Sequence, residues 1–144
     1  MHLEELCVLE LAYVGDFHYV SPYAGESGVG WGRGEGTATG GRLSGTVQWS
    51  NHPAGRGDGV MLPGARGVVT TPEGADVIFD LTGRTVFVDR DGETVGRQLL
   101  MTLFETDDER YAWLNQTVCI TEGAIDPVRK VMRMAVHLCH PDPS

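Results

Sequence analysis

Lysine is almost absent from this chain: Lys130 is the only one, and the remaining basic residues are arginines. Acidic residues number 20, so the formal net charge is -9. Because a negatively charged chain repels phosphate groups, nucleic acids and anionic membrane surfaces are poor partners. Long apolar runs are also missing, and no stretch approaches the roughly 20 residues that a membrane-spanning helix requires. We therefore expect neither nucleic acid nor a membrane as a partner.

Cysteine is scarce as well, with Cys7, Cys119 and Cys139 as its three positions. The count is odd and no Cys-x-x-Cys pair occurs, so we expect reduced thiols, as in a cytoplasmic protein. The acidic start, residues 1–5, is followed by no long apolar stretch, and we expect no secretory signal there.

Motifs for metals, cofactors and nucleophilic catalysis are missing too. His137, Cys139 and His140 are close in sequence, but His140 falls on the opposite face of a strand and no further ligand stands at a zinc-like spacing. No Gly-x-Ser-x-Gly occurs, and no Gly-Lys-Ser/Thr follows the glycine-rich stretch. We expect no metal and no cofactor, and any chemistry to be acid–base chemistry that depends on positioning.

Glycine, in contrast, is abundant, and between Gly28 and Gly36 it occupies every second position. A β-strand has the same period of two, so this stretch as a strand has one face without side chains. The opposite face carries Val29, Trp31, Arg33 and Glu35. The bare face would let a ligand or another backbone approach closely, or let the sheet bend into a barrel. The alternative is a flexible glycine loop.

Turn formers recur at short intervals between apolar segments, a pattern typical of an all-β chain. A short helix over residues 107–114 is predicted after Thr106 and Glu109, which match a capping box. Residues 50–63 are predicted as a long loop of the kind that forms lids or binding sites. Strands are predicted over residues 4–14, 28–36, 42–49, 66–71, 76–82, 85–88, 97–104, 117–120 and 128–138. Together they predict a single domain over residues 1–144, an antiparallel β-barrel of about eight to ten strands with one short helix, or alternatively a sandwich.

Four segments of the chain are similar to a known family. They are residues 36–47, 56–59, 65–74 and, with the longest and most specific match, 104–115, Phe-Glu-Thr-Asp-Asp-Glu-Arg-Tyr-Ala-Trp-Leu-Asn. On these segments the chain resembles the domain-of-unknown-function family 3237, also called uncharacterised protein family 0311, over most of its length. The resemblance implies a small, soluble all-β barrel, often oligomeric, without an established reaction. The family's usual Gly-Gly-x-Asp-Trp is replaced here by Trp-Ser-Asn-His-Pro, residues 49–53.

Three residues are candidates for catalysis: His52, Arg66 and Glu105. His52 lies in the long loop, and histidine suits acid–base work near neutral pH; an exposed loop histidine is the alternative. Arg66 matches an arginine of the family and would hold an anionic or carbonyl-bearing ligand if it points inward, or pair with Glu105 or Asp58. Glu105 is a candidate base in a cavity, and its alternatives are a helix cap or a partner for an arginine.

Ligand contacts are predicted for a second set of residues. Trp113 is either a platform for a ligand or a plug of the core, and Asn115 matches the family motif or ends the helix. Asp58 is placed to orient His52 or to make an Asp-Gly turn. The full set of candidate ligand-binding residues is Tyr19, Trp31, Arg33, Trp49, Asp58, Trp113 and Asn115, with Tyr23 as a further candidate at the rim.

These patterns favour a β-barrel that binds an apolar small molecule and has cofactor-independent isomerase, cyclase or lyase activity. In this hypothesis Trp49 and Trp113 contact the substrate, Arg66 polarises an oxygen, and His52 or Glu105 moves a proton. One alternative is a carrier or sensor of the same shape without turnover. Another is a structural homo-oligomer whose barrel interior is merely core.

Overall fold

The computed structural model describes residues 1–21 and 27–143, and most of them lie in β-strands. The strands are β1 His2–Val20, β2 Val29–Thr39, β3 Gly45–Asn51, β4 Ala54–Gly55, β5 Met61–Leu62, β6 Gly64–Thr70, β7 Asp76–Arg90, β8 Glu93–Glu105, β9 Cys119–Asp126 and β10 Val131–His140. A 3-10 helix, Ala112–Gln116, lies between β8 and β9. This part of the chain contains no helix long and apolar enough to cross a membrane.

Eight of the strands close into an antiparallel barrel in the order β1, β2, β3, β6, β7, β8, β9, β10 and back to β1. The two short strands β4 and β5 pair with each other and bridge β2 and β7. This hairpin lies within the segment that was predicted as a long loop. The predicted all-β barrel with one short helix is confirmed.

One predicted turn is instead part of a strand. Residues 76–90 form a single strand, β7, which passes through Gly83 without reversing. A Cβ at Gly83 would overlap the Leu99 carbonyl and lie 2.8 Å from Leu100 Cα on β8. Gly83 therefore marks a close approach of two strands, which is the other common use of glycine inside a sheet.

The bare face of the glycine strand faces the barrel interior. Gly32 and Gly34 on β2 are buried, whereas the residues that alternate with them, Trp31, Arg33 and Glu35, are exposed. A Cβ on Gly32 would lie 2.7 Å from a ring carbon of Tyr13, and a Cβ on Gly34 would lie 2.8 Å from a ring carbon of Trp49. The absent side chains thus leave the space into which aromatic rings from β1 and β3 pack.

The end of the barrel at the 3-10 helix, which we call the closed end, is filled by apolar side chains. Leu114 of that helix is fully buried and joins the same core as Phe79, Phe104 and Leu138. The predicted capping box at this end does not form. The Thr106 hydroxyl accepts from the amide of Asp108, and the Asp108 carboxylate accepts from the amide of Arg110, so the chain makes local turns before the helix begins.

The close contact between β1 and β2 predicts a specific sensitivity to one methyl group. We expect Gly36→Ala to lower the free energy of unfolding by about 1–3 kcal/mol, because its Cβ would overlap the Glu10 carbonyl, which is backbone and cannot rotate away. Gly41→Ala is the matched control, since a Cβ at Gly41 meets nothing within 4 Å. Urea unfolding of both variants measures the difference. Equal stability of the two variants would contradict the packing described here.

Candidate functional site

A cavity of about 190 Å³ lies at the end of the barrel opposite the 3-10 helix, which we call the open end. Its wall is mostly apolar. The side chains that form it come from β1, the β4–β5 hairpin with its flanking prolines, β7 and β9: Phe17, Pro53, Met61, Pro63, Phe87 and Ile125. The segment predicted as a lid or binding loop therefore does border the cavity.

A hydrogen-bonded pair, Tyr13 and Asn51, supplies the first polar group of the cavity. Asn51 Nδ2 donates to Tyr13 Oη at 3.0 Å. The amide of Gly64 donates to Asn51 Oδ1 at 3.1 Å, and this bond turns the Asn51 NH₂ group toward the phenol. Because Tyr13 Oη already accepts a hydrogen bond, its own proton is left to donate into the cavity.

The protonation state of Tyr13 follows from its position. Burial raises the pKa of Tyr13 above its ordinary value of 10.0, and the hydrogen bond from Asn51 opposes this shift only in part. Desolvation disfavours the phenolate, so the group stays neutral at physiological pH. Tyr13 is thus suited to donate a hydrogen bond or a proton, and not to accept a proton.

Gln98 and Trp49 supply the remaining polar atoms at the floor. Gln98 Nε2 donates to Thr85 Oγ1 at 3.3 Å across β7 and β8. Gln98 Oε1 and Trp49 Nε1 are both buried, and neither has a hydrogen-bond partner among the described residues. The two side chains line a small cavity of about 20 Å³, which adjoins the larger one because both cavities share Asn51, Pro63 and Gln98.

Lys130 is the only charged residue that lines the cavity in the described part of the chain. It stands in the turn between β9 and β10 with a φ of 59°, and its carbonyl accepts from the amide of Tyr13 at 3.0 Å. No Asp, Glu or His belongs to the described lining. Among the described residues, no three or more His, Cys, Asp or Glu side chains are grouped so that they could hold a metal ion. The cavity can therefore bind and polarise a ligand more readily than it can remove a proton.

The three residues predicted as catalytic are not brought together at this cavity. Arg66 lies on the outside of β6, 69% exposed, and forms an ion pair with Asp80 at 3.8 Å instead of with Glu105 or Asp58. Glu105 is exposed at the last position of β8, roughly 23 Å along the strand from Gln98 at the usual rise per residue. His52 is exposed, whereas its neighbour Pro53 is buried and lines the wall.

Of the two predicted roles of Asp58, orienting His52 or making an Asp-Gly turn, its hydrogen bonds fit the turn. Asp58 accepts from Arg56 Nε at 3.0 Å and from Arg56 Nη2 at 2.7 Å, so its partner is the arginine two residues away. These bonds lower the pKa of Asp58 to about 2. Both side chains are exposed, so the pair closes a surface turn and contributes little to stability.

Two of the predicted ligand-binding residues lie on the outer surface of the barrel. Trp31 and Arg33 lie on the face of β2 that carries side chains, and this face is turned to solvent because the glycines face inward. The Trp31 ring is 6.0 Å from that of His18 on the neighbouring strand. The physical reason is space, since the lumen beside β2 is already filled by rings from β1 and β3.

Two further predicted residues belong to the closed end. Trp113 is half-buried against the core, and the Arg42 guanidinium lies 3.8 Å from the centre of its ring. The residue of this helix that is fully buried in the core is Leu114, the neighbour of Trp113. Asn115 bonds to both the amide and the carbonyl of Thr106, at 2.8 and 2.9 Å, and so fastens the helix to the end of β8.

The remaining candidates lie nearer the cavity. Trp49, one of the predicted ligand contacts, lines the floor. Tyr19 is 46% exposed at the open end and packs beside Gly28 and Gly55. Tyr23 lies outside the described residues.

Five polar residues of the cavity were not predicted: Tyr13, Asn51, Thr85, Gln98 and Lys130. A signal for Gln98 was present, because it shares its strand face with Leu100, Thr102 and Phe104 and is the longest polar side chain on that inward face. Tyr13 likewise follows Leu9 and Leu11 at the strand period. A polar residue that continues an inward apolar series is a better indicator of the site than an exposed titratable group.

Comparison with known proteins shows the fold but not a family. No protein-family model matches the chain, and no curated protein matches it. A β-barrel-like protein from Acinetobacter baumannii is similar, with a TM-score of 0.84 and 18% identity over 95% of this chain and 94% of that one. A protein of unknown function from Clostridium acetobutylicum has a TM-score of 0.84 and 15% identity over 97% and 100%. A protein described as an enzyme, from Penicillium herquei, has a TM-score of 0.66 and 17% identity over 94% and 93%. Membership of family 3237 stays a prediction.

The Tyr13–Asn51 pair predicts the direction of a pKa change. We expect Asn51→Leu to raise the pKa of Tyr13 further, because the hydrogen bond that it removes is the contact that lowers this pKa. Tyrosine labelled with ¹³C at Cζ allows the titration to be followed by NMR above pH 9. Asn115→Leu, at the closed end, is the control and should leave Tyr13 unchanged. A Tyr13 midpoint that falls or stays constant in Asn51→Leu would refute the assigned bond.

Proposed function

We propose that this protein is a small-molecule-binding β-barrel whose ligand occupies the cavity at the open end. The observation that carries the proposal is a mostly apolar chamber in which Lys130 is the one charged lining residue among those described, and in which the neutral polar groups are Gln98, Thr85, Tyr13 and Asn51. Sites for small molecules have this composition: apolar walls supply affinity, and a few polar groups fix the orientation.

The volume limits the ligand to a small molecule. Drug-sized ligands occupy pockets of about 300–1,000 Å³, whereas this cavity measures about 190 Å³. A dry apolar cavity of about 150 Å³ accommodates benzene. A single ring with one or two substituents is therefore the size that fits without movement of the wall.

Binding can be tested by filling the cavity from within. Ile125→Trp on β9 places a larger side chain into the chamber, and we expect it to abolish saturable binding of toluene measured by NMR shift perturbation or calorimetry. Ile120→Trp is the matched control, because Ile120 belongs to the opposite face of the same strand. Equal toluene binding by wild type, Ile125→Trp and Ile120→Trp would sink the proposal.

A second candidate function is cofactor-independent acid–base catalysis in the same cavity, of the isomerase, cyclase or lyase type. It is favoured by Tyr13, a half-buried neutral phenol whose proton is free to be given to a ligand oxygen. The similar fold from Penicillium herquei, described as an enzyme, gives a further reason to test for turnover. A carrier or sensor requires no such proton donor.

Substitution of the donor separates catalysis from carriage. In an enzyme, Tyr13→Phe should keep ligand affinity within a few-fold and reduce turnover by about 10²–10⁴. The assay screens single-ring carbonyl compounds for conversion by wild type, with product detection by mass spectrometry. His52→Ala, an exposed change outside the cavity, serves as the control and should retain full turnover. Conversion that is equally fast in Tyr13→Phe would exclude this role.

A further inference from the structure

We infer that the ligand carries a hydroxyl group and binds with that group pointing down into the floor of the cavity, as a phenol or a similar single-ring alcohol does. This inference rests on the proposed binding function and adds the chemical class and the orientation of the ligand. It is carried by two buried polar atoms, Trp49 Nε1 and Gln98 Oε1, which have no partner among the described residues.

Leaving these two atoms unpaired is costly, since buried polar groups in folded proteins almost always find partners. Trp49 is 6% exposed and Gln98 is 9% exposed, so both are removed from bulk water. The indole N–H is only a donor, and the free carbonyl oxygen of Gln98 is only an acceptor. A group that satisfies both must accept one hydrogen bond and donate another.

A hydroxyl meets that requirement with a single heavy atom. Ethers and carbonyls accept but do not donate, so either would leave Gln98 Oε1 unpaired, and a methyl group would leave both atoms unpaired. The small cavity of about 20 Å³ beside Trp49 and Gln98 has room for one oxygen atom, since about 10–15 Å³ suffices for a water molecule.

The rest of the ligand occupies the chamber that opens from this floor. The large and small cavities share Asn51, Pro63 and Gln98, so a molecule whose hydroxyl lies at the floor continues directly into the apolar space between Phe17 and Ile125. A site that is built to pair a hydroxyl discriminates strongly against an analogue without the hydroxyl, because that analogue leaves the polar groups of the protein unsatisfied.

A pair of probes that differ in one hydroxyl tests the inference. Toluene and p-cresol are titrated into the full chain by calorimetry. A purely apolar cavity binds p-cresol more weakly than toluene, because the hydroxyl loses its hydrogen bonds to water. The floor described here reverses this order, and we expect p-cresol to bind about tenfold more tightly.

Variants assign the preference to the floor. Gln98→Met keeps the length of the side chain but removes the acceptor, so toluene should bind as before while p-cresol loses its advantage. Gln48→Met, the same change at an exposed position of β3, should alter neither affinity. Trp49→Phe is a second test of the floor, because it removes the donor and keeps a ring, and it should reduce the preference for p-cresol.

The outcomes separate the two proposals. Toluene binding that exceeds p-cresol binding in wild type would overturn the hydroxyl inference and leave the binding function standing. The same holds for a p-cresol preference that persists unchanged in Gln98→Met and Trp49→Phe. Failure of both probes to bind to wild type would overturn the binding function and the inference together.

Discussion

The packing of aromatic rings against the face of β2 that lacks side chains determines the interior of this barrel. Gly32 and Gly34 turn their bare face inward, and the rings of Tyr13 and Trp49 fill the space beside them. The two rings meet edge to face at 4.6 Å between centroids, a favoured geometry for aromatic pairs. Side chains larger than hydrogen on this face would collide with the rings or with the backbone of β1. The inner face of β2 therefore contributes no side chains to the core, and the rings of its neighbours occupy that space.

The consequence is a barrel whose two ends differ. At the closed end, Leu114 and its neighbours Phe79, Phe104 and Leu138 are buried and pack in the lumen, as expected of a small barrel. At the open end the rings of Tyr13 and Trp49 pack against β2, and a chamber remains. The neutral polar groups of the chamber come from four strands: Tyr13 on β1, Asn51 on β3, Thr85 on β7 and Gln98 on β8. Only closure of the sheet brings them together.

The sequence was sufficient to predict the fold class. The alternation of glycine from Gly28 to Gly36 predicted a strand with one bare face, and the frequent turn formers predicted an antiparallel barrel with little helix. Local signals failed at Gly83 and at Thr106. At Gly83, glycine serves the approach of two strands, and at Thr106 short side-chain hydrogen bonds compete successfully with the capping box.

The site was less predictable because it depends on which face of each strand points inward. Trp31 and Arg33 are chemically attractive ligand contacts, yet the pairing of β2 with β1 and β3 turns them to solvent. His52, Arg66 and Glu105 attract a catalytic prediction because they are titratable, yet all three are exposed. Apart from Lys130, the polar groups of the cavity are neutral, and neutral side chains of this kind form no motif or charge pattern in the sequence. Gln98, continuing the inward series with Leu100 and Thr102, is the residue from which the site could have been found.

A crystal structure under xenon pressure would test most directly whether the glycine strand shapes a hollow at the open end. Xenon enters dry apolar cavities of this size. The account predicts a xenon atom between Phe17 and Ile125, above Gln98, with the rings of Tyr13 and Trp49 in place against β2. Side chains of Phe17 and Met61 filling that space, with no xenon bound there, would contradict it.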